Sequence, residues 1–254
     1  IVNYNVKSYL EQCLRSVCQS KGLVLGQDFE IFVVDNHSVD DSVEMVREKF
    51  PQVRLIANQD NVGFAKANNQ AIRLSQAKYV LLLNPDTLIE ADSLKKCLDF
   101  MESHPDAGGL GVKMIDGQGK YLKESKRGLP TPEASFYKMS GLCKLFPHSR
   151  RFAAYYMGHL SPDQTNQVEI LSGAFMMLRR ECLQKTGLLD ETFFMYGEDI
   201  DLSYRILLAG YHNYYLPETR IIHYKGESTK KGSLNYVMVF YKAMEIFAKK
   251  YFSK

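Results

Sequence analysis

Apolar and polar positions follow two rhythms along the first 106 residues: short unbroken apolar runs, each followed by a stretch in which apolar residues return every three or four positions. An unbroken run of four or five apolar residues fits a strand buried on both faces, and the 3.6-residue recurrence marks an amphipathic helix. Residues 1–4 read as a strand end, and 8–19 as a helix with Leu10, Leu14, Val17 and Cys18 inward. A second strand, 30–34, ends at Asp35; the helix 42–50 puts Val43, Val46 and Phe50 on one face, with Asp40 and Asp41 placed to cap its start. Residues 53–57 give a third strand, 65–74 a helix, 79–83 the most apolar strand, and 91–102 a helix with Leu94, Cys97, Leu98 and Met101 inward. Strands and helices alternating over short connections predict an α/β fold, with a Rossmann-like, mostly parallel central sheet flanked by helices.

From about residue 107 the rhythm changes. Gly108, Gly109, Gly111, Gly117 and Gly119 punctuate a strand and a hairpin, and 128–165 is irregular and rich in Pro, Tyr and Met. So long an irregular stretch inside a compact unit is usually functional, and it reads as a loop-rich or short-helix insertion over a site. A strand at 168–178, a helix at 199–209 and two strand pieces around Pro217 in 211–223 follow. The chain closes with a helix over 234–251, where Met238, Tyr241, Met244 and Phe247 form a broad apolar face. Its Lys-rich end fits either a peripheral contact with a membrane surface or the solvated tip of a packed helix, the commoner case. One domain thus divides into a nucleotide-binding-type half (1–106), a more irregular metal and acceptor half (107–231) and a C-terminal helix (232–254).

Composition narrows the partners. At 254 residues, 45% apolar and 24% charged, the chain suits one large globular domain, and a net charge of +3 is too small a basic excess for a nucleic-acid binder. Five cysteines with no C-x-x-C pair and no histidine at zinc spacing point to a reducing, cytoplasmic compartment, with Cys13, Cys18 and Cys97 as core residues. No apolar run approaches the roughly 18–20 residues of a membrane span, and no signal-peptide pattern opens the chain. It starts in mid-strand without Met, so it reads as a trimmed piece of a longer protein whose anchor, if any, is not in view. Nothing in the sequence speaks to oligomeric state.

Ligands of open α/β sheets bind beyond the carboxyl ends of the strands, which makes polar residues there the first candidates. Four ends qualify: Asn3-Tyr4-Asn5, Asp35-Asn36-His37-Ser38, Asn58 through Phe64, and Asn84-Pro85-Asp86. Asp35 suits a ribose hydroxyl or base N–H, with Asn36 and Ser38 to orient it, although a strand-end Asp also caps helices. Asn61 through Asn68 opens a helix whose N–H groups and Gly63 suit a base or phosphate. Asp86 is a hard oxygen ligand for a divalent cation bridging a diphosphate, or one member of an Asn-Pro-Asp turn. Glu198, Asp199 and Asp201 gather acids at a helix start, which the macrodipole alone can explain, and Asp201 has ion-pair spacing to Arg205. The aromatic run before them also suits a general base with a raised pKa. His223 closes a strand as a core, surface or site histidine, and the same rim carries Lys225, Glu227 and Ser228. Neither G-x-G-x-x-G after the first strand nor a P-loop motif occurs.

Taken in order, Ile1 to Asn5, Val33 to Asp40, Asn61 to Asn69, Leu82 to Asp86, Leu171 to Met176 and Phe194 to Arg205 resemble family 2 glycosyltransferases of the GT-A fold, in the rhamnosyltransferase-like group. Only the last segment is specific by itself; the combined order spans nearly the whole chain. The resemblance implies that Asn3, Asn5, Asp35, Asn36 and Asn61 surround the nucleoside, and places Tyr4, Ser38, Gly63, Phe64 and Asn68 in the same nucleotide site. Asn84 and Asp86 fall on the family's D-x-D motif with Asn as its first member, so Asp86 would hold Mg²⁺ or Mn²⁺ with His223. Asp199 falls on the second acid of the E-D motif, the catalytic base. The implied reaction is inverting transfer from a nucleotide-diphosphate sugar, dTDP-rhamnose or a UDP-sugar, to a hydroxyl of a glycan or lipid-linked acceptor at the inner face of the membrane. Two other readings stay open on residues alone: a nucleotidyltransferase, which would want a Gly-rich basic loop where Tyr4 to Ser8 stands, and a nucleotide-sugar-binding module without turnover.

Overall fold

The computed structural model describes residues 1–224 and 234–252. Strands β1 (Val2–Asn3), β2 (Phe32–Asp35) and β3 (Arg54–Ala57) form a parallel sheet in that order, each followed by a helix: α1 (Lys7–Cys18), α2 (Ser42–Lys49) and α3 (Phe64–Leu74). Next come β4 (Tyr79–Leu83), β5 (Thr87–Ile89), α4 (Ser93–Ser103) and β6 (Ala107–Ile115). The insertion holds α5 (Pro132–Met139), α6 (Leu142–Leu145) and the short β7 (Asn166–Val168). Then follow β8 (Phe175–Arg179), α7 (Arg180–Thr186), α8 (Glu198–Leu208), β9 (His212–His223) and α9 (Leu234–Tyr251). The second sheet runs β4-β8-β6-β9-β5, with β7 on β9. Parallel pairing is therefore complete in the first sheet; in the second only β6 and β9 run parallel, and the other ladders are antiparallel.

The helical periodicity sets the packing. Leu10, Cys13, Leu14 and Val17 of α1 are buried on one face against Val33 of β2, and this layer continues through Met101 of α4 and Leu110 of β6 to Phe175 of β8. Cys18 lies at the margin of that layer, half-buried. At α2 it is Asp40, not Asp41, that satisfies the helix start: its Oδ1 accepts from the Ser42 N–H at 3.2 Å and the Ser42 hydroxyl at 2.5 Å, while Oδ2 accepts from the Lys7 N–H at 2.8 Å. Asp41 occupies the left-handed region at φ 59° without a side-chain cap.

Three sequence expectations change. The strand expected over 168–178 breaks into β7 and β8, because Ser172 and Gly173 turn the chain and the Ser172 carbonyl accepts from the Phe175 N–H at 3.1 Å; buried Ile170 and Leu171 keep the run apolar and conceal the break. The two pieces around Pro217 are one strand with a bulge, since the register on β6 jumps from Val112↔Leu216 to Lys113↔Arg220. Proline has no N–H to give a ladder, so the strand bulges there and resumes pairing. The glycine-punctuated hairpin reduces to a single Ile115↔Tyr121 bridge around a turn in which Asp116 accepts from the Gln118 and Lys120 N–H groups.

In α9, Ala243 and Phe247 are buried while Met238 and Tyr241 are exposed, so its apolar stripe is narrower than its sequence suggests. Its Lys end is drawn into the protein: Lys250 pairs with Asp190 and Asp201, both at 2.7 Å, which speaks against a membrane role for that cation. Asp201 is fully buried and also accepts from Arg205, at the i, i+4 spacing, and from the Tyr251 hydroxyl, each at 2.7 Å. Among the described residues no helix is long and apolar enough to cross a membrane. Removing Asp201 leaves two cations without their shared counter-charge, so Asp201→Ala is expected to cost about 3–5 kcal/mol in urea unfolding. A loss below about 1 kcal/mol would mean that the pair is worth no more than a surface ion pair.

Candidate active site

The first strand ends, the start of β5, the break before β8 and the start of α8 face a cavity of about 340 Å³. From the first half its wall takes Tyr4, Asn36, Asn61, Phe64, Asn84 and Asp86. From the second half come Ser172, Gly173, Glu198, Asp199 and His223. Asp86 and Asp199, remote in sequence, thus open onto the same space.

The other strand-end residues singled out in the sequence stand behind that wall. Asp35 is almost fully buried, with Oδ2 accepting from Asn3 Nδ2 at 2.7 Å and Oδ1 from the Ser38 N–H at 2.8 Å. The Ser38 hydroxyl accepts from Asn3 Nδ2 at 3.1 Å and the Asn5 N–H at 2.9 Å, and Asn5 Oδ1 accepts from the Val39 N–H at 2.8 Å. This network ties the end of β1 to the end of β2 and so fixes Tyr4 and Asn36, which reach the cavity. Asn36 in turn donates to the Gly63 carbonyl at 3.3 Å and accepts from Asn58 at 2.9 Å. Asn61 Oδ1 accepts from the Gly63 N–H at 3.1 Å, and Asn68 Nδ2 donates to the Phe64 carbonyl at 3.0 Å. Gly63 is required twice over: its φ is 84°, and a β-carbon there would stand 2.6 Å from the Phe194 carbonyl oxygen. That carbonyl accepts from the Phe64 N–H at 2.8 Å, joining the start of α3 to the loop before α8.

Asp86 and His223 meet through strand pairing. Thr87 of β5 is in register with His223 of β9, and the Tyr224 N–H donates to the Asp86 carbonyl at 2.9 Å. His223 Nε2 lies 3.4 Å from Asp86 Oδ1, and both side chains are buried. Asp86 Oδ1 has no hydrogen-bond partner within the protein, and neither has His223 Nδ1. An unsatisfied buried carboxylate oxygen is costly, and such an atom at the wall of a cavity could hold a cation. Carboxylate plus imidazole suits Mg²⁺ or Mn²⁺. Among the described residues no three His, Cys, Asp or Glu side chains converge as a metal cluster, so a cation here would complete its shell from diphosphate oxygens and water. Lys225, Glu227 and Ser228 of the same rim lie outside the described residues.

The acidic helix start is aimed by strained backbone. Tyr196 at φ 66° and Gly197 at φ 95° turn the chain in the left-handed region immediately before α8, a conformation a non-glycine residue holds only under constraint. Asp199 Oδ2 accepts from Arg127 Nη2 and from the Gly173 N–H, the latter at 3.2 Å; Arg127 also donates to the Leu171 carbonyl. Arg127 therefore anchors the carboxylate to the break between β7 and β8. Glu198 beside it is buried, with Oε2 unpartnered. Burial pushes its carboxyl up to about 8, and the Asp199 charge adds to the shift.

Arg127 stands just before the irregular stretch 128–165, and no motif in the sequence singles it out. Lys138, Tyr155 and Tyr156 also line the cavity from the insertion, with Lys138 Nζ 3.6 Å from the Tyr155 ring centre. Their signal was only the coarse one, a Tyr-rich irregular segment. Phe240 and Met244 of α9 complete the wall.

The family model described as glycosyl transferase family 2 matches residues 1–187, and the chain belongs to that family. It is 27% identical to the N-acetylglucosaminyl-diphospho-decaprenol L-rhamnosyltransferase of Mycobacterium tuberculosis, across 97% of this chain and 81% of that protein. Among solved structures it is similar to the mannosyltransferase PcManGT of Pyrobaculum calidifontis in complex with GDP-Man and Mn²⁺, with TM-score 0.62 and 18% identity, covering 96% of this chain and 62% of that one. It is also similar to residues 1–349 of TarS from S. aureus in complex with UDP, with TM-score 0.60 and 18% identity, covering 86% and 58%. The fold is GT-A, and the chain spans about three-fifths of those two solved chains.

Glu198 gives a pH signature. A carboxyl raised in the folded state holds its proton there while the unfolded chain has lost it, so its contribution to stability is full below the ordinary value of 4.5 and is lost as pH rises towards 8. Glu198→Gln keeps the shape and removes the titration. Its Tm is expected to gain on that of the native chain steadily from about pH 5 to about pH 8; parallel Tm curves would show that Glu198 is ionised in the fold.

Proposed function

We propose that the protein is an inverting, metal-dependent glycosyltransferase that passes a sugar from a nucleotide-diphosphate donor to a hydroxyl of a glycan or lipid-linked acceptor. The observation that carries this reading is that Asp86, with its unpartnered buried oxygen, and Asp199 line one cavity in a chain of glycosyl transferase family 2. Tyr4, Asn36, Asn61 and Phe64 bind the nucleoside from the strand-end side, with Asn3, Asn5, Asp35, Ser38, Gly63 and Asn68 holding them in place. Similarity to a rhamnosyltransferase along almost the whole chain favours dTDP-rhamnose as donor, with a UDP-sugar as the other choice. Five free cysteines suit the cytoplasm, and a lipid-linked acceptor would put the reaction at the inner face of the membrane.

Asp86 and His223, with Asn84 beside them, would hold Mg²⁺ or Mn²⁺, which supplies charge neutralisation for the departing diphosphate. Asp199 accepts the proton of the acceptor hydroxyl as its oxygen attacks the anomeric carbon. The bond from that carbon to the diphosphate oxygen breaks on the opposite side, and the configuration inverts. Arg127 and the Gly173 N–H hold the Asp199 carboxylate at the cavity wall. A protonated Glu198 spares the site a second buried negative charge beside the base.

Two substitutions separate these roles. Asp199→Asn keeps shape but cannot take the proton, and is expected to lower transfer by about 10² to 10⁴ while nucleotide binding survives; near-native turnover would remove Asp199 as base. Asp86→Ala is expected to abolish the gain in UDP or dTDP affinity that Mn²⁺ produces in calorimetric titration. If the variant kept that gain, the cation would be held elsewhere.

A further inference from the structure

The insertion has an outer side that the cavity does not use. Phe136 and Met139 of α5 and Leu145 and Phe146 at the end of α6 are between 51% and 80% exposed, a large apolar area to leave in water. A chain of ring contacts joins Phe136 to Phe146, with Phe136 5.9 Å from Tyr137, Tyr137 5.0 Å from Phe152 and Phe152 5.3 Å from Phe146 between ring centres, and Met139 and Leu145 belong to the same two packed helices. Charge within the segment that carries these side chains has one sign. Between residues 134 and 162 the sequence has Lys138, Lys144, Arg150 and Arg151 and neither Asp nor Glu. Of these, Arg151 is paired with Glu133, which lies just before that stretch, while Lys144 and Arg150 are exposed. Apolar side chains of this size among surface cations match the boundary of an anionic bilayer, where the apolar groups enter the acyl region and the cations meet lipid phosphates.

The same helix faces both ways. α5 presents Phe136 and Met139 outward, while its Lys138 lines the cavity beside Tyr155 and Tyr156. We propose that the patch Phe136, Met139, Leu145 and Phe146, with Lys144 and Arg150, is the surface by which the protein docks on an anionic phospholipid bilayer, setting the insertion side of the cavity against the lipid. The proposal rests on the reading of the cavity as a sugar-transfer site for a lipid-linked acceptor. It moves the membrane contact away from the Lys-rich tip of α9, whose Lys250 is occupied by Asp190 and Asp201.

The test is co-sedimentation of the full chain with vesicles of phosphatidylcholine alone and of phosphatidylcholine with phosphatidylglycerol. Binding is expected only to the anionic vesicles and to weaken with salt. Combining Phe136→Ser, Met139→Ser, Leu145→Ser and Phe146→Ser is expected to reduce it about tenfold or more, as is Lys144→Glu with Arg150→Glu. Met238→Ser with Tyr241→Ser, at exposed positions of α9, is expected to leave it unchanged. Circular dichroism and Mn²⁺-dependent UDP binding check that each variant folds. If the patch variants bind vesicles as the native chain does, or if they alter only the oligomer mass in sedimentation because a second copy covers the patch, the proposal is overturned. Nucleotide-sugar turnover is assayed separately, by Mn²⁺-dependent release of nucleotide into water. Turnover without vesicle binding sinks the docking surface alone, and patch-dependent vesicle binding without turnover sinks the catalytic reading alone.

Discussion

The site depends on the register of two short strands. β5 pairs with β9 so that Thr87 faces His223, and this brings Asp86 from the first half of the chain against a histidine from near the end of the described second half. A shift of one residue would turn each side chain to the other face of the sheet. The pairing also holds a buried carboxylate oxygen without a hydrogen-bond partner, an arrangement that costs free energy and that a divalent cation would relieve.

Around that point the polar residues divide into those that reach the cavity and those that hold them. Asn3, Asp35 and Ser38 are spent on one another, binding the ends of β1 and β2 together, while Tyr4 and Asn36 beside them line the cavity. Arg127 does for Asp199 what that network does for the ends of β1 and β2: with the Gly173 and Ile200 N–H groups it fixes the side chain in place. Asp201, two residues on, turns inward, pairs with Arg205 within α8 and clamps α8 to α9 through Lys250 and Tyr251. One acidic cluster therefore serves the cavity, the local pKa and the packing of the last helix by turns.

Local periodicity and strand-end polarity were legible in the sequence. The strand Tyr79–Leu83 and the helix Leu234–Tyr251 lie where hydrophobic spacing puts them, and so do the helices of the first half to within two residues. Long-range effects were not legible. The break at Ser172 and Gly173 hides inside an apolar run because the loop is buried, and the bulge at Pro217 survives as part of a strand because β6 pairs on both sides of it. Of the candidate site, Asp86, Asp199 and His223 stood at element ends but only the family resemblance singled them out, whereas whether Asp35 faced a ligand or its neighbours depended on side-chain partners. Arg127 has no local signal at all; it matters only because tertiary structure lays the start of the insertion across α8.

The stereochemistry of the released sugar tests the arrangement of cation and base most directly. Incubating the protein with a nucleotide-diphosphate sugar and Mn²⁺, and following the anomeric proton by NMR before mutarotation, reports which face of the sugar is attacked. A single displacement assisted by Asp199 requires the configuration opposite to that of the donor in the first product formed; retention would contradict it.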